Sequence, residues 1–278
     1  MRRRPSRLVL LGHPVHHSLS PRFQNAALRA ARIPLVYEAV DVASPELAQC
    51  VVSLRDSGAA GNVTIPHKEA VAAICDTLTS DARGAGAVNT FWVEDGRLVG
   101  DNTDIGGFTA ATRALLGGSP ENLRIAILGA GGAARAVICA AAAWPDCTVV
   151  IHNRTSARAT ALVAQRGAPC EIAGSALDAV RGADLVVNAT SIGLHDDAMP
   201  VSVEALSRGC AVLDLVYRPG ETAFVRAARS SGHRAADGLT MLVEQGALAF
   251  ERWFGFEPDR RAMWAALESS MPGRGDPR

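Results

Sequence analysis

Residues 123–137 read LRIAILGAGGAARAV. An apolar run ending at Leu128 leads into Gly129-Ala130-Gly131-Gly132 and then into alanine-rich text, the strand, turn and helix setting in which a GxGxxG-type match carries meaning. Gly129 allows the tight turn. Gly131 lets backbone approach a pyrophosphate, and Gly132, Ala133 and Ala134 open a helix whose N-terminal amides attract that anion. The sixth position holds Ala, which the fingerprint admits. A strand-to-helix turn with no ligand is the plainer alternative; the flanking elements favour a dinucleotide.

The next strand says which dinucleotide. About twenty residues past the glycines, an acid would hold the ribose 2′-hydroxyl of NAD and an Arg would accommodate the 2′-phosphate of NADP. Here the text is CTVVIHNRTSARA, with no acid. Arg154 stands where the ribose is read and Arg158 four residues on, so one helical turn places both guanidiniums around a phosphate, with Asn153 and Thr155 as neutral donors. Solvated arginines at a helix start are the alternative; the absent carboxylate and the arginine pair together favour NADP. Further strands are expected at Thr148–His152, Leu185–Ala189, Ala211–Leu215 and Arg234–Ala236, with helices between them, giving a doubly wound sheet.

Upstream, strand-like text at Arg7–Leu11, Leu35–Val40 and Gly61–Ile65 alternates with helical text at Pro21–Ala31, Pro45–Asp56 and Lys68–Leu78, which implies a mostly parallel sheet. Asn89–Glu94 and Arg97–Val99 read as a hairpin across Asp95-Gly96, and Gly107–Leu116 as a helix ending at Gly117-Gly118. The turn-rich GGSPEN that follows approaches a domain boundary.

The 278 residues suffice for one large α/β unit or two domains, and Lys plus Arg balance Asp plus Glu at 28 each. Zero net charge and 5% aromatics argue against a dedicated nucleic-acid binder, so a small-molecule partner is expected. Six cysteines without CxxC spacing read as reduced residues of a cytoplasmic protein. The opening MRRRP is followed by an apolar run of about five residues, short of a signal-peptide core, and no run approaches the roughly 20 residues that span a bilayer. In GHPVHHSLSPRF, Ser18 and Ser20 share one side of an extended segment, with Ser20 the N-cap and Pro21 the first helical residue; two hydroxyls at a helix N-terminus suit an anion, or Ser20 simply caps. His13, His16 and His17 lack a second ligand cluster, and no metal is expected. On residues alone the reading stops at an NADP-dependent oxidoreductase with a small anionic substrate; hallmarks of the rival folate-type dehydrogenases are not evident.

GHPVHHSLSP, GNVTIPHK, GAVNTF, GDNTDIGGF, GAGGAARA, NRT, NATSIG, DLVY and DGLTMLVEQGALAF occur in an order that resembles the shikimate dehydrogenase family, from Gly12 to about Asp259. The resemblance implies an α/β fold: a substrate-binding and catalytic domain over 1–106, a doubly wound Rossmann domain for NADP(H) over 107–237, and C-terminal helices over 238–270 returning to the first domain. A disordered tail is expected over 271–278. It implies Lys68 and Asp104 as the catalytic pair, Ser18 and Ser20 on the substrate carboxylate, and Asn62, Thr64, Asn89 and Gln245 on ring hydroxyls, with Thr103 and Tyr217 lining the site. It places the pyrophosphate on Gly129, Ala130, Gly131, Gly132 and Ala133, the adenosine phosphate on Asn153, Arg154, Thr155 and Arg158, and the nicotinamide side beside Thr190, Ser191, Gly238 and Met241. The implied reaction is NADPH-dependent, reversible reduction of 3-dehydroshikimate to shikimate by a cytoplasmic monomer or homodimer. Quinate/shikimate or aminoshikimate dehydrogenases and a non-catalytic NADP-binding paralogue are the alternatives. Gln24 departs from the family, which commonly has His there; a local packing change is expected.

Overall fold

The computed structural model describes residues 4–164 and 170–269; the 271–278 segment expected to be a disordered tail lies outside the described residues. Two compact units result, one built from the chain up to Gly107 and from Leu242 onward, the other from Phe108 to Met241.

The first unit runs β1 (Leu8–Gly12), α1 (Ser20–Ala30), β2 (Tyr37–Asp41), α2 (Leu47–Ser57), β3 (Ala60–Val63), α3 (Lys68–Ile74), β4 (Thr77–Leu78), α4 (Ser80–Ala85), β5 (Thr90–Glu94), β6 (Arg97–Asp101) and into α5 (Asp104–Leu116). Its sheet order is β2-β1-β3-β5-β6-β4. The β1–β2, β1–β3 and β4–β6 ladders are parallel, whereas β3–β5 and the hairpin β5–β6 are antiparallel, so the sheet is mixed. β1 and β3 are buried on both faces and read as apolar runs for that reason; Val9, Leu11, Val63 and Phe91 pack with Val51, Leu54 and Val71 from the helices.

The second unit has β7 (Arg124–Leu128), α6 (Gly132–Ala142), β8 (Thr148–His152), α7 (Ser156–Ala164), β9 (Cys170–Ile172), α8 (Ala176–Val180), β10 (Leu185–Asn188), β11 (Ala211–Asp214), α9 (Ala223–Ser230) and β12 (Ala235–Asp237). All its ladders are parallel, in the order β12-β11-β10-β7-β8-β9. Counted within the unit this is the doubly wound order, whose direction reverses between β7 and β10, and ligands of such sheets bind beyond the carboxyl ends of strands at that reversal. The turn after β7 is the glycine turn. The chain ends with α10 (Leu239–Phe254) and α11 (Arg260–Glu268); within the first unit α11 packs along α1.

Several local expectations need correction. The helix read over Lys68–Leu78 stops at Ile74: Cys75 is extended, Asp76 accepts the Leu98 amide at 2.8 Å, and Thr77-Leu78 pair with Val99-Gly100, so sheet pairing overrides helical periodicity. α4 follows, capped by Thr79, whose hydroxyl accepts from Ala82, and closed by Gly86 in the left-handed region. Ser20 is the first helical residue instead of the N-cap, because the Ser18 hydroxyl already accepts the Ser20 amide at 3.2 Å. α5 begins at Asp104, not Gly107: the Asn102 side chain takes the Asp104 amide at 3.2 Å, and Gly106, which looks like a breaker, admits Leu248 where a Cβ would stand 2.5 Å from that side chain.

Candidate active site

The carboxyl ends of β1 and β3 in the first unit are held side by side. Thr64 donates its amide to Leu11 at 2.8 Å and His13 donates to Ile65 at 3.1 Å; Gly12 has no side chain because a Cβ there would sit 2.5 Å from the Thr64 methyl. His13 and Asp41 are paired at 2.5 Å, and Asp41 also accepts the Val15 amide at 3.3 Å, which braces the loop leading to Ser18. That hydrogen bond from His13 holds the Asp41 carboxyl below its ordinary range. Among the described residues no group of three or more His, Cys, Asp or Glu could hold a metal ion.

Lys68 enters at the first turn of α3 and Asp104 at the first turn of α5, thirty-six positions apart, and Lys68 Nζ donates to Asp104 Oδ2 at 2.5 Å. Their side chains are 17% and 8% exposed, so the pair is shielded but reachable. Asn89 Nδ2 donates to the other Asp104 oxygen at 2.8 Å, to Thr103 Oγ1 at 2.9 Å and to Gln245 Oε1 at 3.2 Å, while Asn89 Oδ1 accepts the Thr103 amide at 2.7 Å. Asn62 Nδ2 donates to the Asn89 carbonyl at 3.0 Å. Asn62, Asn89, Thr103, Asp104 and Gln245 are all buried, as is Ser20, and Ser18 and Thr64 are half-buried. Asn62, Asn89, Thr103, Asp104 and Gln245 are each held by hydrogen bonds, as buried polar side chains must be, and the result is a rigid frame around one ammonium–carboxylate pair.

The frame has members the sequence reading left out. Asp101, 1% exposed, accepts from the Thr79 hydroxyl, from the Asn102 amide at 2.8 Å and from Arg252 Nε at 2.7 Å, which fixes the turn that delivers Thr103 and Asp104. Tyr37 donates its hydroxyl to Asn62 Oδ1 at 2.7 Å and stacks on Trp253. No local pattern marks Tyr37, since its partner lies on a strand two places away in the sheet. Burial pushes the Tyr37 phenol well above its ordinary 10.0, and burial raises Tyr217 in the same direction. The folded state then keeps protons that the unfolded chain releases, so stability is lost as pH rises past 10.0. Urea midpoints measured at about pH 9 and about pH 11 should fall in the wild type and fall less in Tyr37→Phe, in which Tyr217 and the cysteines that burial also raises, Cys75 and Cys210 foremost, remain. Equal drops in both would remove Tyr37 as the source. Gln24, on the face of α1 one turn past Ser20, donates to the Gly246 carbonyl at 2.9 Å, and its Oε1 has no hydrogen-bond partner among the described residues.

In the second unit Gly129 has φ +115°, and a Cβ there would stand 2.6 Å from the Ala189 carbonyl, so the turn after β7 lies directly against the end of β10. The N-cap of α6 is Gly131, with no side chain on its first amides and open space where a Cβ would be. Ala130, Gly132 and Ala133 complete this turn and are half-buried. Asn153 turns back to the Thr155 carbonyl at 2.9 Å, whereas Arg154 and Arg158 are exposed and make no side-chain hydrogen bond or ion pair to another described residue. Thr190 donates to Asn188 Oδ1 at 2.7 Å; Asn188 Nδ2 donates to the buried Asp214 at 2.8 Å, whose other oxygen accepts the Thr222 hydroxyl at 2.7 Å. Burial raises the Asp214 carboxyl. Gly238 is pressed on the Leu215 carbonyl, where a Cβ would be 2.3 Å away, and Met241 is buried, Ser191 exposed and Tyr217 half-buried. The expected catalytic pair and the expected substrate residues other than Tyr217 lie in the first unit, whereas Tyr217 lies in the second with the expected cofactor residues. Glycine turn, amides of α6 and paired cations form a cradle that fits a dinucleotide bearing an extra phosphate.

The profile of the shikimate dehydrogenase substrate binding domain matches residues 10–91, and that of the shikimate 5′-dehydrogenase C-terminal domain matches residues 238–268. Shikimate dehydrogenase (NADP(+)) of Geobacter metallireducens is 42% identical over 276 residues, 94% of this chain and 96% of that protein. The enzyme of the same name from Methylobacterium radiotolerans is 45% identical over 262 residues, 91% of this chain and 92% of that one. Among solved structures, shikimate 5-dehydrogenase from Thermus thermophilus, in complex with NADP(H) and shikimate, superposes with a TM-score of 0.84 at 40% identity, covering 95% of this chain and 99% of that chain. With a partly buried lysine–aspartate pair in one α/β unit, a glycine-turn Rossmann sheet in the other and relatives this similar along nearly the whole length, the chain belongs to the shikimate dehydrogenase family.

Proposed function

We propose that this chain catalyses the reversible NADPH-dependent reduction of 3-dehydroshikimate to shikimate, on the route to chorismate and the aromatic amino acids. The observation that carries this reading is the 2.5 Å contact between Lys68 and Asp104 inside the frame of Asn62, Asn89, Thr103 and Gln245. NADPH, when bound, supplies the hydride. Reduction turns a ketone oxygen into an alkoxide, which needs a positive charge beside it and then a proton. Lys68 supplies both at the carbonyl oxygen, and Asp104 orients the ammonium and, with Asn89 fixed on its other oxygen, accepts a hydrogen bond from the substrate. The Lys68–Asp104 pair therefore acts as one proton-handling unit, which in the reverse direction takes the proton from the shikimate hydroxyl.

Ser18 and Ser20, at the start of α1, bind the substrate carboxylate; Asn62, Thr64, Asn89 and Gln245 meet the ring hydroxyls, and Thr103 and Tyr217 line the site. Residues 1–106 with the helices of 238–270 form the substrate domain and residues 107–237 the NADP domain. There Gly129 to Ala133 take the pyrophosphate, Asn153, Arg154, Thr155 and Arg158 the 2′-phosphate, and Thr190, Ser191, Gly238 and Met241 the nicotinamide side. All six cysteines are free, which supports a cytoplasmic enzyme. Balanced charge supports a small-molecule enzyme without a nucleic-acid or membrane partner; the proposed assembly is a monomer or homodimer.

Initial rates of oxidation of shikimate and of quinate, each with NADP and with NAD, test the reading. Strong preference for shikimate with NADP is expected. Comparable quinate turnover or a preference for NAD would move the protein to a quinate/shikimate dehydrogenase, and no turnover with NADP bound would make it a non-catalytic paralogue.

A further inference from the structure

Two loops of the second unit carry residues read above as binding groups. The loop after β10 holds Thr190 and Ser191, and the segment after β11 holds Tyr217. The first is a tight structure: the Leu194 amide returns to Ser191 at 3.2 Å, the Ile192 amide donates to Thr190 Oγ1 at 3.0 Å, and Gly193 sits at φ +87° with the Ala198 carbonyl 3.1 Å from where its Cβ would be. Arg218, the residue after Tyr217, joins the two. Its Nη1 donates to the carbonyls of Asp196 at 2.5 Å and Gly193 at 3.4 Å, and its Nη2 to Asp197 Oδ1 at 2.6 Å. Arg226, on α9, donates to the same Asp197 oxygen at 3.3 Å and to the Glu221 carbonyl at 2.6 Å, tying the carboxylate to the far end of the segment. These two cations hold the Asp197 carboxyl below its ordinary range, so it is ionised at neutral pH.

We propose that Arg218 is a positioning residue that clips the Thr190–Ser191 loop to the Tyr217 segment, so that the nicotinamide-side contacts and the substrate-side tyrosine are set in register by one guanidinium. The inference rests on the proposed roles of Thr190, Ser191 and Tyr217. Its chemistry is particular to Arg. A planar fork reaches two backbone carbonyls and a carboxylate from one side chain, which a lysine ammonium, a point charge on a flexible stem, does not reproduce. The inner clasp, from Asn188 to Asp214 and Thr222, fixes where the loop leaves β10; the outer clip is what reaches residues 193–197.

The test is Arg218→Gln in the full chain, with steady-state shikimate oxidation and, separately, titration with 2′,5′-ADP, which occupies only the phosphate end of the cofactor site. Displacing a contact by about 1 Å costs up to about a hundredfold, so a loosened clip should raise the KM for NADP and for shikimate by about fivefold to tenfold each. The 2′,5′-ADP affinity should stay unchanged, and Arg218→Lys should give intermediate KM values. KM values within about twofold of wild type overturn the proposal. So does a loss of 2′,5′-ADP affinity in step with the KM rise, which signals general loosening of the Rossmann unit. Should Arg218→Gln not fold, Asp197→Asn, at an exposed carboxylate, carries the same expectation and the same refutation at smaller size. If the wild type turns over no shikimate at all, the functional reading fails, and the clip is then judged by NADP affinity against 2′,5′-ADP affinity alone.

Discussion

Lys68→Ala should lower the turnover number for shikimate oxidation by at least about a hundredfold while leaving the NADP dissociation constant near its wild-type value, the loss expected of an acid–base group that is not a cofactor ligand. The separation of the two effects follows from chain placement. Lys68 and Asp104 belong to the first unit, whereas the glycine turn, Arg154 and Arg158 belong to the second. Alanine also strips Asp104 of its cation and leaves the carboxylate side chain with Asn89 as its remaining side-chain donor, so some loss of stability accompanies the loss of rate. Lys68→Met separates the two: it keeps the apolar stem and removes only the charge and the proton. Both variants should lose turnover alike if the ammonium is the working group, and KM for shikimate should move less than kcat because an alkoxide needs the charge more than a hydroxyl does. Single-turnover rates with fluorescence-monitored NADP binding decide it. A turnover number unchanged in the Met variant would remove Lys68 from the chemistry and leave it a structural partner of Asp104.

The Rossmann half was legible in the sequence because its signals are local. Glycines of the turn, the apolar β7 and the arginines after β8 all lie within about forty residues of one another, and each answers to a short-range rule about backbone approach or charge. What the local text did not contain was the neighbour of the turn: that Gly129 rests on the Ala189 carbonyl is a consequence of the strand order, in which β10 lies beside β7 with β8 on the other side. The catalytic half was legible only through resemblance. Lys68 and Asp104 meet across thirty-six positions of sequence, and Asn89 reaches Gln245 across 156, so no periodicity links them. Local rules misplaced elements where tertiary partners decide. Thr77-Leu78 left the helix to pair with β6, and Gly106 joined the helix because Leu248 fills the space a side chain would take and Asn102 caps the first amide. Tyr37 and Asp101 escaped for a related reason: Tyr37 bonds Asn62 and Asp101 bonds the Asn102 amide just before Thr103 through contacts made by the fold, and a buried tyrosine or a strand-end aspartate has no spacing that announces such a bond.

Replacing both Arg154 and Arg158 with Gln should reduce kcat/KM for NADP by about a hundredfold and leave kcat/KM for NAD essentially unchanged. Both guanidiniums are exposed, four positions apart, and make no side-chain bond to another described residue, so both can be changed without breaking a contact in the described part of the fold. A charge-assisted hydrogen bond to a phosphate contributes more than a neutral one, and at an exposed site one such contact corresponds to about a tenfold change in affinity. Two acting on one phosphate then approach a hundredfold, less any coupling between them, which a double-mutant cycle measures directly. NAD has a hydroxyl where NADP has that phosphate, so its binding has nothing to lose from either substitution. Raising ionic strength screens the exposed cations, so KM for NADP should rise with salt in the wild type and scarcely in the double variant, while KM for NAD should be insensitive in both. Arg154→Asp goes further, placing at the end of β8 the acid that holds a ribose 2′-hydroxyl and repelling the phosphate, and should bring NAD use up as NADP use falls. Parallel losses with both cofactors would show that the arginines support the shape of the turn after β8 instead of reading the phosphate, and NADP selectivity would then have to be sought elsewhere in the second unit.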